Sequence, residues 1–357
     1  MHVHLSCPKC SSTLIEEGPK IHCKNCESVW PVINGIPRFT NGTYYWGEIP
    51  FELMQRVNVC ASQSHWRNSL EELVRPHYPD IYDYVISNSR ADFNYFIPLN
   101  SKSIVLDVGS GWGTISLLLA DRSGHVISVE SVKERIEFQR IRTRQDEINN
   151  VQLIQANFLD LPIPKSGLDL VVMNGVLEWI GIASTYDTPP NLQKKVLRKV
   201  FDSLKPGGTL YIGIENRFGY NYFLGGRDHS DIPFTSLMPR WLANQVMKWK
   251  TQSSRRTEQA SGAYRTYTYS YWGYKSLLAE IGFSAVDIYL VFPDYNLPAY
   301  LVPAGNYRAF SYMVKQMYSG GSINRRFMAT CAGVFAPFGL QKLFAPSFSI
   351  FAHKTSA

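Results

Sequence analysis

The 357-residue sequence has little charge and no long apolar run. Charged residues make up 18% of it against 45% hydrophobic, which excludes a disordered chain and implies a substantial core. The nearest approach to a transmembrane segment, Phe327 to Leu340, is too short and carries Pro337. The opening M-H-V-H-L-S-C-P has no basic-then-apolar block, so no secretory leader is expected and the expected location is the cytoplasm. Cysteine is scarce beyond the first thirty residues, where Cys60 and Cys331 stand alone and read as ordinary half-buried thiols. Lys and Arg exceed Asp and Glu by only 36 to 29. That excess permits contact with phosphates, anionic glycans or a membrane surface without demanding any of them.

What is present is organised around Val105 to Gly113, V-L-D-V-G-S-G-W-G. Ile104 to Val108 is a short apolar run with one acid, Asp107; Gly109, Gly111 and Gly113 then alternate, and a largely apolar segment, Ile115 to Ala120, follows. This is the pattern of a buried parallel strand, a tight turn without side chains, and a helix. Such a turn lets backbone approach a ligand, and the helix start offers it unpaired N–H groups. The dinucleotide fingerprint G-x-G-x-x-G needs glycine where Thr114 stands and is excluded. D-x-G-x-G-x-G with the acid inside the strand resembles instead the first motif of the class I S-adenosylmethionine-dependent methyltransferases. The resemblance implies that the loop faces the methionine part of the cofactor and that Asp107 helps hold its ammonium group.

Downstream, His125 to Val129 reads as a second strand ending at Glu130, placed to bind ribose hydroxyls. A third strand, Val151 to Gln155, runs into A-N-F-L-D-L-P. By the resemblance, Asn157 accepts from the adenine amine, where the family often has Asp, and Phe158 lies beside the ring. The fourth strand, Leu168 to Met173, leads into N-G-V-L-E-W, whose Asn174 joins the cofactor-binding set. This fragment resembles small-molecule and sugar methyltransferases and lacks the N-P-P-Y-like set of enzymes that methylate base amines. L-K-P-G-G-T-L brings in a fifth strand, Thr209 to Ile214; Ala285 to Phe292 is a sixth, and Phe348 to His353 a last, antiparallel one. The fold class expected is α/β, a doubly wound, mostly parallel seven-stranded Rossmann-like sheet with a small N-terminal zinc ribbon and helical insertions.

Cys7, Cys10, Cys23 and Cys26 form C-P-K-C, twelve residues, C-K-N-C. Two such knuckles complete a tetrahedral Zn²⁺ shell with no open position, so the metal expected is structural, and it stabilises a segment with little core. The continuation from Glu27 to Phe39 resembles the zinc ribbons of the tRNA-methyltransferase-activator type. The domain organisation expected is 1–40 zinc ribbon, 41–100 helical lead-in over the cofactor loop, and 101–357 methyltransferase domain with insertions at about 215–273 and 302–345. In the lead-in, Arg90 and Asp92 either close over the cofactor or belong to an ordinary surface helix.

Ile214 to Ser230, I-E-N-R-F-G-Y-N-Y-F-L-G-G-R-D-H-S, stands at the carboxyl edge of the sheet, where ligands of such folds bind. This block, the tyrosines of 264–274 and F-P-D-Y-N-L-P at Phe292 to Pro298 resemble a branch of methyltransferases associated with bacterial polysaccharide and O-antigen gene sets. The resemblance implies O-methylation of a glycan or of an activated or lipid-linked sugar precursor. A hydroxyl acceptor benefits from a base; His229 beside Asp228 is the candidate, with Glu215 in reserve. Tyr267, Tyr269 and Tyr271 alternate as on one strand face and read either as a sugar-stacking surface or as packing. The insertion at 302–345 reads as a helical hairpin on the domain or as a peripheral contact at the inner membrane. Two other readings stay open: an RNA methyltransferase with the ribbon as its substrate-recognition module, and a non-catalytic binding module on the same fold.

Overall fold

A computed structural model describes residues 5–40, 45–182, 184–253, 263–318 and 330–355. The chain divides into two compact units, Met1–Asn174 with Arg198–Leu210 and Lys354–Ala357, and Gly175–Leu197 with Tyr211–His353.

The first unit opens with a four-stranded antiparallel sheet: β1 (Ile15–Glu17), β2 (Lys20–His22), β3 (Val29–Ile33) and β4 (Ile36–Pro37). So small a sheet buries little by itself. Ile36 therefore packs onto Ile136 and Leu153, and the Phe39 N–H donates to the Gln155 carbonyl at 2.7 Å. The chain leaving the ribbon thus covers an edge strand that would otherwise present unpaired backbone groups.

Helices α1 (Phe51–Gln63), α2 (Trp66–Leu73) and α3 (Pro79–Ile86) follow, then a 3-10 helix at Asn88–Phe96. Met54, Val57 and Ala61 bury one face of α1 at helical spacing. They pack with Trp66, Leu70 and Val85 around Trp112 and Phe138, whose rings meet edge to face at 5.2 Å. Trp112 comes from the glycine loop itself, so the lead-in core grips the loop by its one large side chain. Its Nε1 donates to Glu48 at 3.1 Å, and Glu48 pairs with the buried Arg135.

The rest of this unit is β5 (Ile104–Val108), α4 (Thr114–Ala120), β6 (His125–Glu130), α5 (Lys133–Gln145), β7 (Val151–Gln155) and β8 (Leu168–Asn174). β5 pairs parallel with β6 and β8, and β6 with β7. β5 and β6 are buried almost throughout, as befits strands covered on both faces.

A 3-10 helix (Leu177–Ile182), α6 (Pro189–Ser203) and β9 (Leu204–Glu215) come next. β9 begins earlier than the sequence indicates and runs through the K-P-G-G stretch, because Gly207 and Gly208 exchange backbone hydrogen bonds with Lys354. Then follow α7 (Tyr220–Phe223), α8 (Arg240–Ser253), α9 (Tyr271–Ile281), β10 (Ala285–Phe292), β11 (Tyr300–Pro303), α10 (Tyr307–Tyr318), α11 (Leu340–Phe344) and β12 (Ser347–His353). Strand order is β11-β10-β12-β9-β8-β5-β6-β7, with β12 antiparallel to β10. The seven expected strands are all present. An eighth, β11, folds back on β10 from Phe292↔Tyr300 to Tyr289↔Pro303, so the last insertion starts after a strand. Four residues between prolines are too few for a readable period. The part of that insertion at 319–329, with Arg325 and Arg326, lies outside the described residues. No helix among the described residues is long and apolar enough to cross a membrane.

Trp112→Ala is expected to lower stability by about 3–5 kcal/mol, the usual cost of deleting a buried aromatic. Chemical denaturation of both proteins measures it; a loss below about 1 kcal/mol would show that the loop stands without the lead-in core.

Candidate active site

In the first unit the glycine loop is held from behind by a buried polar chain. Asp107 Oδ2 accepts from the Ser116 hydroxyl at 2.6 Å, which lies 2.9 Å from Ser128. Ser128 donates to Gln139 Oε1 at 2.7 Å, and Gln139 Nε2 donates to the Gly111 carbonyl at 2.7 Å and to Ser110 at 2.8 Å. Gly109, Gly111 and Gly113 all have positive φ. Gly113 shows why side chains are excluded: at φ +83° a Cβ would also come within 2.8 Å of Gln139.

Glu130 closes the other side. Its Oε2 accepts from the Gly111 N–H at 2.8 Å, and its Oε1 from the N–H groups of Ser131 and Val132 at 2.7 and 2.8 Å. Burial, aided by the charge of Glu130, pushes the Asp107 carboxyl up to about 7, against the Ser116 hydrogen bond and Arg90. Arg90 is itself buried over the Tyr84 ring, with its Nε unpartnered; Asp92 is exposed. Asn174, at the end of β8, is buried with neither amide atom bonded. Asn157 departs from expectation. Its carbonyl accepts from the N–H groups of Leu159 and Asp160 at 2.8 and 2.9 Å, and its amide donates to Asp160 at 2.7 Å. That oxygen caps a turn and is not offered to an adenine amine, because Asn closes such local turns readily. Phe158 beside it is half-buried.

The four N-terminal cysteines converge, with every Sγ within 4.8 Å of the others, Cys7 to Cys26 at 3.5 Å and Cys10 to Cys23 at 3.4 Å. Thiolates around one tetrahedral Zn²⁺ stand about 3.8 Å apart, so the donor set fits that ion. All four are free thiols.

The second unit holds a different cluster. The 3-10 helix supplies Glu178, the end of β9 supplies Glu215, and the loop after α7 supplies His229. His229 Nε2 lies 3.4 Å from Glu215 Oε1 and 3.9 Å from Glu178 Oε1, closing a good hydrogen bond to neither. The Trp179 ring flanks the imidazole at 4.3 Å. Tyr295 donates to Glu215 Oε1 at 3.1 Å, and Gly175 leaves room for its hydroxyl, since a Cβ there would approach it to 2.9 Å. The Glu178 side chain is 0% exposed, whereas those of Glu215 and His229 are 19% and 23% exposed.

Burial pushes Glu178 up to about 8, with the Glu215 charge adding and His229 opposing. Burial works against ionisation of Glu215 too, but His229 holds it below the usual carboxylate range. Burial alone would pull His229 down; the two glutamates outweigh it and push it up to about 9.

Asp228 does not orient His229. Its Oδ2 accepts from Tyr264 at 2.7 Å, and its Oδ1 from the Ser230 N–H and the Thr235 hydroxyl at 2.9 Å each. Adjacent residues diverge, and this acid ties the loop to the tyrosine segment. The tyrosines also differ from one strand face. Residues 264–270 form no strand and Tyr271 opens α9. Tyr269 donates to Gln193 at 2.8 Å, and Arg240 lies over the Tyr264 and Tyr267 rings. Packing occupies them.

Glu178 and Tyr295 escape motif reading. The available signal for Glu178 is one acid inside the apolar run V-L-E-W-I; for Tyr295 it is the F-P-D-Y segment. The same unit contains an apolar cavity of about 240 Å³ lined by Tyr220, Phe292, Phe310, Phe335, Phe344 and Gln341.

Residues 99–265 match the family model described as a methyltransferase domain. With the strand order, this makes the span a methyltransferase domain of Rossmann-like fold. A Listeria welshimeri protein named demethylmenaquinone methyltransferase is 30% identical over 109 residues, 30% of this chain and 42% of that one. A Rickettsia akari protein named ubiquinone biosynthesis O-methyltransferase is 27% identical over 143 residues, 40% of this chain and 51% of that one. The chain thus spans about half or less of each relative. A solved Haemonchus contortus phosphoethanolamine N-methyltransferase, in complex with S-adenosylhomocysteine, aligns at a TM-score of 0.44 and 12% identity, covering 82% of this chain and 60% of that one.

Proposed function

We propose, from the methyltransferase domain at residues 99–265, that the protein transfers the methyl group of S-adenosylmethionine to a hydroxyl of a glycan or of an activated or lipid-linked sugar precursor. The observation that carries the hydroxyl reading is the cluster of Glu178, Glu215 and His229, a group of proton-accepting side chains built from three separate segments. The acceptor oxygen attacks the methyl carbon opposite the sulfur, the C–S bond breaks and S-adenosylhomocysteine leaves. The hydroxyl proton passes to Glu215, the member that His229 holds ionised, and this partly exposed pair, His229 and Glu215, are the catalytic residues of this reading. Positioning of the two reactants supplies most of the acceleration.

On the cofactor side, Asp107 takes the ammonium group and Arg90, with its buried unpartnered Nε, takes the carboxylate. Glu130 receives a ribose hydroxyl on Oε2, which accepts only the Gly111 bond from the protein. Phe158 lies against the adenine, and Asn174 offers the free amide supporting a ligand at the end of β8. The four cysteines hold one structural zinc ion. The apolar cavity supports a lipid-linked acceptor. It and the quinone names of the two relatives support a second reading, a hydroxyl on a lipid quinone precursor.

A labelled-methyl assay on envelope saccharides, quinone precursors and total RNA tests the acceptor. Label in the saccharides is expected, and label confined to quinones or RNA overturns the glycan reading. On the true acceptor, His229→Ala should slow turnover by roughly 10²–10⁴-fold with little change in cofactor affinity. Near-wild-type turnover would remove His229 from catalysis.

Cofactor affinity measured by calorimetry should weaken as pH falls through 7. Asp107 binds the ammonium only when ionised, and its carboxyl sits near 7 in the free protein. The fall should be about fivefold between pH 7 and 6 and approach tenfold per pH unit below that, with the cofactor amine protonated throughout. Asp107→Asn is expected to bind weakly and without this slope; a slope unchanged in the variant assigns it to another group. Elemental analysis should find one zinc per chain, lost on replacing Cys7 and Cys10 with Ser. Zinc-free protein would end the zinc assignment.

A further inference from the structure

We infer that Glu178, Glu215 and His229 form a divalent-cation site, with Mn²⁺ or Mg²⁺ as the class of ion, whose outer face receives the acceptor's oxygen. The inference rests on the reading of this cluster as the acceptor site and deepens it.

One ligand atom from each residue lies within 4.8 Å of the others. An octahedral cation bonded at about 2.1 Å sets neighbouring ligand atoms roughly 3 Å apart. The observed separations of 3.4 and 3.9 Å need only small side-chain rotations to reach that geometry. Glu178 is the independent sign of a ligand. It is fully buried, neither oxygen closes a hydrogen bond among the described residues although the Tyr295 hydroxyl is near enough to favour its ionised form, and Oε1 faces His229 at 3.9 Å. Glu215 Oε2 and His229 Nε2 are likewise buried atoms with no hydrogen bond. Buried polar atoms are nearly always satisfied, so four converging orphans call for an occupant. An ion pair alone does not supply it: one imidazole nitrogen would serve two carboxylates, at 3.4 and 3.9 Å, and reach only one of the two Glu178 oxygens.

Two carboxylates and one imidazole suit a hard to borderline ion, and three protein ligands leave positions open. The burial is graded to match, with Glu178 sealed and Glu215 and His229 partly exposed. The open positions therefore lie on the accessible side. A hydroxyl oxygen bound there would be oriented and made more acidic, the Lewis-acid use of a metal, with His229 serving as a ligand and the proton passing to the Glu215 oxygen that does not ligate. The Tyr295 hydroxyl, bonded to Glu215 Oε1, keeps that carboxylate turned inward.

The test is a Mn²⁺ titration of the full-length protein, following loss of the free-ion electron paramagnetic resonance signal. It needs neither acceptor nor cofactor, so it is independent of whether methyl transfer is found. One bound Mn²⁺ per chain is expected, competed by Mg²⁺, with affinity lowered at least about tenfold by Glu178→Gln and by His229→Gln. The four-thiolate site prefers soft ions and does not contribute. Because Glu178→Gln changes a buried position, the partly exposed His229→Gln provides the second variant, and circular dichroism checks both. Absence of saturable binding up to millimolar Mn²⁺, or binding that both folded variants retain, overturns the site and leaves an ion pair only.

Discussion

The hydrogen bond from the Gly111 amide to the Glu130 carboxylate joins the glycine loop to the end of β6. It ties a loop that cannot stabilise itself, since its glycines sit at positive φ, to the end of a strand buried on both faces. The same loop is fastened at its tip by Trp112 in the lead-in core and from behind by Gln139. A turn stripped of side chains has nothing of its own to pack. Its shape is imposed by neighbours that are rigid and dry.

Buried acids are the common element of both units. Asp107 and Glu130 lie behind the glycine loop, and Glu178 is buried beside the partly exposed Glu215 and His229. Each is costly to bury unless something positive or donating comes to it. Glu130 is met by backbone N–H groups, and Asp107 by a serine hydroxyl with Arg90 in the vicinity. Among the described residues neither Glu178 oxygen closes a hydrogen bond. Tyr295 fixes the Glu215 carboxylate, and Gln139 ties Ser110 to Ser128 behind Asp107.

Much of this was legible in residue order. The glycine loop follows from local physics: an apolar run, glycines at alternate positions and a helix start need no distant residue to be read. The cysteine knuckles are legible for the same reason, because their spacing alone brings thiolates into one shell. Pairing across the chain is not legible in this way. Asp228 and His229 are adjacent, yet one turns to Tyr264 and the other to Glu215. Asn157 matches a position for adenine, yet its own turn takes its oxygen. β11 is too short to announce itself.

Sequence by itself determined the fold class, the glycine loop and the four-cysteine cluster, since each depends on patterns within one short stretch of chain. Tertiary structure decided the rest of the chemistry. Only folding gathers Glu178, Glu215 and His229 from a 3-10 helix, a strand end and a loop, and only burial turns a lone acid in V-L-E-W-I into an unpartnered carboxylate. Burial and convergence are properties of distant segments brought together, and no local spacing encodes them.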